Sequence, residues 1–308
     1  MQQTPVKPYW QQVKGNTWCM VFDYARIPVY LCGAGKAILL DSGYDRSRQE
    51  ILDLLAEKNL QPVALLTSHT HPDHIGNHAF LREKFGAKVY MSPFDIATFR
   101  DPMVMCVSFG TRVGYRLCKE RFGIGVAADE VFPNSACEIT VEGATFRMIP
   151  TPGHCVEHTT IITPDNVAYL GDALQSEDFM VNRRLTYSTV VEEDFASKRI
   201  IAALDCDAYI MAHNGVVEDI KDSVETAIEA MEYRLRLFEE LVDTPVSEDE
   251  LVRRFLVHTG ADLENTRSVR GIHFNTPAFL GYLVDHGRLI QIVEDGYLKY
   301  ARPKKAES

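Results

Sequence analysis

The chain has 308 residues, 46% of them hydrophobic and 24% charged, with a formal net charge of -11. This composition supports a sizeable core, in one large domain or a main domain with an appendage, and excludes wholesale disorder. The acidic balance counts against a groove that tracks a nucleic-acid backbone, and the lack of any run of about 18 apolar residues predicts no membrane span.

The opening "MQQTPVKPYWQQVKGN" lacks the apolar stretch of a signal peptide. The seven cysteines, Cys19, Cys32, Cys106, Cys118, Cys137, Cys155 and Cys206, contain no C-x-x-C. Their odd number and scatter predict reduced, mostly buried thiols in a cytoplasmic protein rather than a disulfide framework.

Early segments alternate in the strand manner: "TWCMVFD", "VYLCG" and "KAILLDSG" are short apolar runs punctuated by glycine. "SRQEILDLLAEKNL" has helical spacing behind a predicted Ser47 cap. "PVALLTS" reads as a buried strand, "IGNHAFLREKFG" as a helix stopped by Gly86, and "AKVYMS" as a strand. Residues 93–131, rich in Met, Phe and Gly, are too long for a simple connection. They read as an insertion that covers a pocket or makes a subunit contact, such as that of a homodimer; a plain core helix pair is the competing reading.

Strands return at "CEITVEG", "ATFRMIPTPGH", "HTTIITPD" and "NVAYLGDA", followed by the helix "FASKRIIAALD", the strand "DAYIMAH" and the long helix "VEDIKDSVETAIEAMEYRLRLFEELV". Two runs of strands, each ending in helices, suit two packed sheets with helices outside. The boundary of this body is placed at residue 243. The tail, 244–308, has predicted helices at "SEDELVRRFLVHTG" and "TPAFLGYLVDHGRL" and a hairpin turning at Glu294-Asp295-Gly296. That order resembles a winged-helix unit; docking or dimerisation fits its nearly balanced charge better than reading DNA.

One stretch concentrates the chemistry. "TSHTHPDHIGNH" (67–78) packs four histidines and an aspartate between a strand and a helix, at a sheet rim where open α/β folds place their sites. Period-two alternation sends His69 and His71 to one side, where they can clamp one ion, while Asp73 and His74 face a neighbouring position. Imidazole and carboxylate are ligands that zinc, iron or manganese accept. His154, Asp172 and His213 each follow a strand, in "IPTPGHC", "AYLGDAL" and "AYIMAHNG", and complete a set of seven ligand-type residues. His78 and His158 are read as local hydrogen-bonding partners, and Cys155 as packing rather than a nucleophile.

With these residues the chain resembles the metallo-β-lactamase superfamily over roughly residues 15–240, and most closely its glyoxalase II-like hydrolases. The resemblance implies an α+β fold, an αββα sandwich holding two divalent metal ions, zinc before iron or manganese. It implies His69, His71 and His154 on the first ion, Asp73, His74 and His213 on the second, and Asp172 bridging them. Asp41 in "LLDSG" matches an element that supports the metal loop without binding metal. Where many antibiotic-hydrolysing relatives use cysteine, this chain has Asp172; where the flavodiiron branch uses glutamate, it has His71.

The implied reaction is hydrolysis of a small ester, thioester or lactone by a hydroxide bridging two metals about 3.5–4 Å apart, with Asp73 as the proton relay. The alternatives are a phosphodiesterase or nuclease, or a mononuclear iron persulfide dioxygenase. Phe109, Arg112 and Tyr115 of the insertion are the candidate substrate-pocket residues.

Overall fold

The computed structural model describes residues 7–100, 127–175, 185–213 and 215–304, with the isolated positions 104, 116 and 125. Its first sheet contains β1 (Tyr9–Lys14), β2 (Thr17–Val21), β3 (Arg26–Gly33), β4 (Lys36–Leu40), β5 (Gln61–Leu66), β6 (Lys88–Met91) and β7 (Glu130–Val131), in that spatial order. Pairing is antiparallel as far as β4 and parallel from β4 onward. The second sheet contains β8 (Cys137–Val141), β9 (Ala144–Pro150), β10 (Thr159–Ile162), β11 (Val167–Tyr169), β12 (Ala208–Met211) and β13 (Gly215–Val217), in the order β13-β12-β11-β10-β9-β8.

Central strands are apolar on both faces, as sheets covered on both sides require. Ile38, Leu40, Ala64 and Leu66 of the first sheet meet Phe146, Met148, Ile161, Tyr169 and Ile210 of the second in one core. The residues between them point the other way. Ala37, Leu39 and Leu65 pack on α1 (Arg48–Glu57) and α3 (His78–Phe85), which follows the single turn α2 (Pro72–Ile75). Beyond the second sheet, Ile162, Ala168, Tyr209 and Met211 pack among the later helices. The layers are therefore helix, sheet, sheet, helix.

After α4 (Pro93–Arg100), those later helices are α5 (Val191–Ala202), α6 (Lys221–Leu241), α7 (Glu248–His258) and α8 (Thr266–Asp285). From residue 244 the chain buries its apolar face on α5 and α6: Phe255 stacks on Phe238 at 4.9 Å, and Leu280, Leu283 and Tyr300 join the same cluster. The hairpin β14 (Ile290–Glu294) and β15 (Tyr297–Ala301) turns through Asp295 and Gly296, both at positive φ, where the sequence places the turn.

Strand direction decides where the polar residues gather. β4 and β5 are parallel, so the residues after each emerge at one rim. In the second sheet two antiparallel steps, β9 to β10 and β10 to β11, make β9 parallel to β11, and β12 is parallel to β11. The ends of β9, β11 and β12 thus share a rim. Backbone bonds from Arg26 to Ala212 (2.6 Å) and from Thr159 to Ser68 (2.9 Å) set that rim against the first sheet's.

Several local expectations need correction. Ser47 precedes α1 but makes no side-chain cap; its hydroxyl bonds that of Tyr24 at 2.8 Å. The helix expected over 75–86 is broken at Gly76-Asn77, because Ile75 forms a bridge with Gly43 and a Cβ on Gly76 would overlap the Asp45 backbone. The helix expected from Val217 begins at Lys221, after the edge strand β13. The second tail helix begins ten residues before the expected Thr276 and runs through Pro277. Proline in a helix interior costs about 3 kcal/mol, but burial of Ile272, Phe279, Leu280 and Leu283 outweighs local preference. The strand β1 escaped the sequence reading altogether.

Candidate metal centre

The donors His69–His74 lie just past the end of β5: His71 has the extended backbone that precedes the turn α2, which Pro72 opens and which contains Asp73 and His74. This geometry turns the His69 and His71 rings towards each other, with centroids 4.5 Å apart, and puts His69 Nε2 3.0 Å from His71 Nδ1. His154, from the loop after β9, brings Nε2 to 3.0 Å from the same His71 Nδ1 and 3.4 Å from Asp172 Oδ2. The other oxygen of Asp172 faces a second group: Oδ1 lies 3.5 Å from His74 Nε2 and 3.2 Å from His213 Nε2. Asp73 Oδ2 completes that group, 3.3 Å from His213 Nε2 and 3.9 Å from His74 Nε2. All seven ligand-type residues therefore converge in two sets of four donors that share Asp172.

A further layer orients the rings. Asp41 is buried, with φ of 63°, and accepts hydrogen bonds from Ser68 N (2.8 Å), Ser68 Oγ (2.6 Å), His74 Nδ1 (2.7 Å) and the Tyr169 hydroxyl (2.7 Å). Since Ser68 Oγ donates to Asp41, it accepts from His69 Nδ1 at 3.0 Å. His213 Nδ1 donates to the Tyr24 carbonyl at 2.8 Å. In His69, His74 and His213 the outer nitrogen is thereby assigned the proton and Nε2 is turned inward. His158 accepts from the backbone N–H of Asp172 at 3.1 Å and meets Thr151 Oγ1 at 2.9 Å; His78 bonds Ser42 and Thr67. Gly171 is required here, because a Cβ would lie 2.6 Å from His158 Nε2.

The second-sheet donors are held from behind by α5 and the residues before it. The Gly153 carbonyl accepts from Thr189 N (2.7 Å) and Val190 N (3.1 Å), the His154 carbonyl from Thr189 Oγ1 (3.0 Å), and the Pro152 carbonyl from Ser197 Oγ (2.6 Å). Lys198, buried in an ion pair with Asp194, donates to the Ala173 carbonyl at 3.3 Å, one residue beyond Asp172.

Burial pushes His69 and His154 well below the usual histidine range and His71 down to about 4, so these three rings are neutral, the form that binds metal. Burial acts on His74 and His213 too, but Asp172 and Asp73 overcome it, raising His74 strongly and His213 to about 10. Burial alone would raise the two carboxylates; the charge of His74 and the hydrogen bond from His213 instead hold Asp73 down at about 2 and Asp172 well below its ordinary value.

The donor set fits cations. One proton on His71 Nδ1 can serve one of its two ring neighbours and leaves the other contact unmade. Buried His74 Nε2, turned into the second set, has no hydrogen bond within the usual limits. Nitrogen and oxygen donors in fours, some closed off from water, match the demands of zinc and its neighbours.

Cys155 donates its thiol to the Glu157 carbonyl at 3.2 Å, and burial holds it well above the ordinary thiol range, which suits packing. Phe109, Arg112 and Tyr115 lie outside the described residues. Sequence reading passed over Ser68, Tyr169, His158 as a partner of Asp172, and Tyr187, whose ring borders His71 and His154. Only the serine, adjacent to His69 and next to a motif, carried any signal.

Residues 27–213 match the family described as the metallo-beta-lactamase superfamily. An atrochrysone carboxyl ACP thioesterase of Aspergillus fumigatus is 26% identical over 210 residues, covering 67% of this chain; the match spans 56% of that relative's length. A beta-lactamase-like protein 2 homolog of Drosophila melanogaster is 24% identical over 289 residues, covering 90% of this chain and 86% of the relative. Among solved structures, a beta-lactamase domain protein from Burkholderia ambifaria superposes with a TM-score of 0.72 at 16% identity, covering 98% of this chain and 96% of that one. A metallo-beta-lactamase family protein from Thermus thermophilus gives 0.70 at 22% identity, covering 91% and 94%. At these identities the two structures speak for the fold.

Proposed function

Because the chain belongs to the metallo-beta-lactamase superfamily, we propose that it is a dinuclear metal-dependent hydrolase of a small ester, thioester or lactone, of the glyoxalase II-like kind. The observation that carries this reading is the division of Asp172: Oδ2 faces His154, while Oδ1 faces His74 and His213. A carboxylate placed so can bridge two ions, and a second complete donor set favours this over a mononuclear iron dioxygenase. The resemblance to a thioesterase supports an acyl substrate.

His69, His71 and His154 would hold one ion and Asp73, His74 and His213 the other, with zinc the first choice for nitrogen-rich sets. Two such cations would supply an activated water at neutral pH and polarise the substrate carbonyl. Asp41 fixes His74, and through Ser68 also His69, so the two sets share one buried anchor. Asp73, anionic and 3.3 Å from His213, would hold the proton released by the attacking water and deliver it to the leaving group. His213, about a third exposed, marks the side from which solvent and substrate enter.

Metal analysis of the purified protein, followed by thioesters, lactones, esters and phosphodiesters, tests the reading. Two equivalents of metal and turnover of a carboxylic substrate are expected, and His69→Ala should remove metal and turnover together. Full activity after the metal is lost would refute the chemistry.

A further inference from the structure

Tyr187 stands against the first donor set. Its ring centroid is 5.2 Å from that of His71 and 4.9 Å from that of His154, inclined at 68° and 70°. On Tyr187 lies the ring of Phe274, from α8, stacked at 5.6 Å and only 7° from parallel. Both aromatic residues are partly exposed. The Tyr187 hydroxyl lies 3.5 Å from Thr189 Oγ1, which itself donates to the His154 carbonyl, so its polar end is directed at the protein.

The other margin is different in kind. Beside His213 stand Tyr24, whose carbonyl accepts from that histidine, and Tyr44, 5.2 Å from Tyr24. The exposed guanidinium of Arg46 lies over both rings, at 5.3 and 4.5 Å. Both ends of the donor cluster are thus bordered by aromatic rings, but only the pair beside His213 lies under a cation, while Tyr187 and Phe274 stack on each other.

We infer that Tyr187 and Phe274 form the selectivity wall of the site, against which a flat apolar acyl group lies beside the scissile bond. The inference rests on the hydrolase reading and deepens it, assigning the substrate class as acyl esters or thioesters with an aromatic or similarly flat acyl part. It also gives α8 a role: a helix remote from Tyr187 in sequence supplies the rear face of the wall. A ring pair of this kind contributes more than its area alone, because offset and stacked aromatic contacts add to burial.

The test compares phenylacetyl and acetyl thioesters of one thiol on the metal-loaded protein. Phe274→Leu keeps apolar volume but removes the ring that backs and orients Tyr187, and Tyr187→Leu removes the flat face nearer the metals. Each should lower the ratio of kcat/KM for phenylacetyl over acetyl by about ten-fold, the factor that about 1.4 kcal/mol of ring contact supplies, with metal content retained. An unchanged ratio in both variants overturns the wall. Binding of phenylacetate against acetate, measured by calorimetry on the parent and on Phe274→Leu, gives a reading without turnover. The parent should prefer phenylacetate and the variant should lose that preference; equal affinities in the parent overturn the wall. Phenylacetate preference without hydrolysis of any substrate would refute the hydrolase reading and leave the wall standing.

Discussion

The phenol of Tyr169, in the second sheet, donates a 2.7 Å hydrogen bond to Asp41 Oδ2, at the end of a strand in the first. The same oxygen accepts from His74 and Ser68. A buried carboxylate is costly unless its lone pairs are used, and here they are used by both sheets and by the donor loop. The bond therefore ties the packing of the sandwich to the orientation of His74.

Tyr169→Phe removes that one donor and keeps the ring. Stability should fall by roughly 1 kcal/mol, and metal affinity by about ten-fold, because support behind a ligand sets its orientation. Asp41→Asn, which disturbs four hydrogen bonds, should cost more on both counts. Titration with a competing chelator measures the affinity; parent-like values in both variants would detach Asp41 from metal binding.

Gly153 sits at φ 122°, and a Cβ there would overlap the Asp194 backbone in α5. Gly153→Ala should destabilise the protein by about 3 kcal/mol, through strain and displacement of the helix. Since the neighbouring His154 carbonyl is held by Thr189, metal affinity should fall as well. Urea unfolding with and without added zinc separates the two effects.

Asp95 is buried, and burial raises its carboxyl to about 7 against the hydrogen bonds from Ser92 and Thr70. Between the ordinary carboxylate value of 3.8 and about 7 the folded protein therefore keeps a proton that the unfolded chain releases. The unfolded state binds fewer protons, so this group makes stability fall as pH rises through that window, by up to about 1.4 kcal/mol per pH unit. Asp95→Asn should flatten the profile between those limits. Urea midpoints across about pH 4–7 that keep the parent's slope would show that Asp95 is not its source.

Without metal, His74 and His213 keep their protons above the ordinary range because Asp172 and Asp73 outweigh burial. A cation entering the second set must displace them. Metal binding should therefore release protons, and apparent affinity should strengthen as pH rises through neutrality. Calorimetry in two buffers of different ionisation enthalpy measures the release; its absence would mean the two rings are already neutral.

Chelation should lower the melting temperature reversibly, because metal binds the folded donor cluster far better than the unfolded chain. Zinc should restore it in the parent and not in Asp172→Ala. A melting temperature indifferent to chelation, in protein shown to have carried metal, would oppose this.

Much of the centre was legible along the chain. His69, His71, Asp73 and His74 are close in sequence, and His154, Asp172 and His213 each stand at the end of an apolar run. Ligand chemistry is carried by few residue types, and strand ends are marked by local pattern, so both survive without coordinates. The layered sandwich follows likewise from short apolar runs interleaved with helical ones.

What lay beyond the sequence was partnership between common residues. Tyr169 and Asp41 are 128 positions apart, and a hydroxyl or ring type alone does not say which carboxylate or helix it meets. Helix α8 passes through Pro277 because its apolar face is buried on α5–α7, an energy that local propensity does not contain. Strand direction in two sheets, a property of the whole chain, brings the five rim segments together. The sequence alone determined which residues could act as donors, since that is a matter of side-chain chemistry. Tertiary structure alone decided how their rings are aimed and what lines the approach, since orientation depends on contacts between segments remote in the chain.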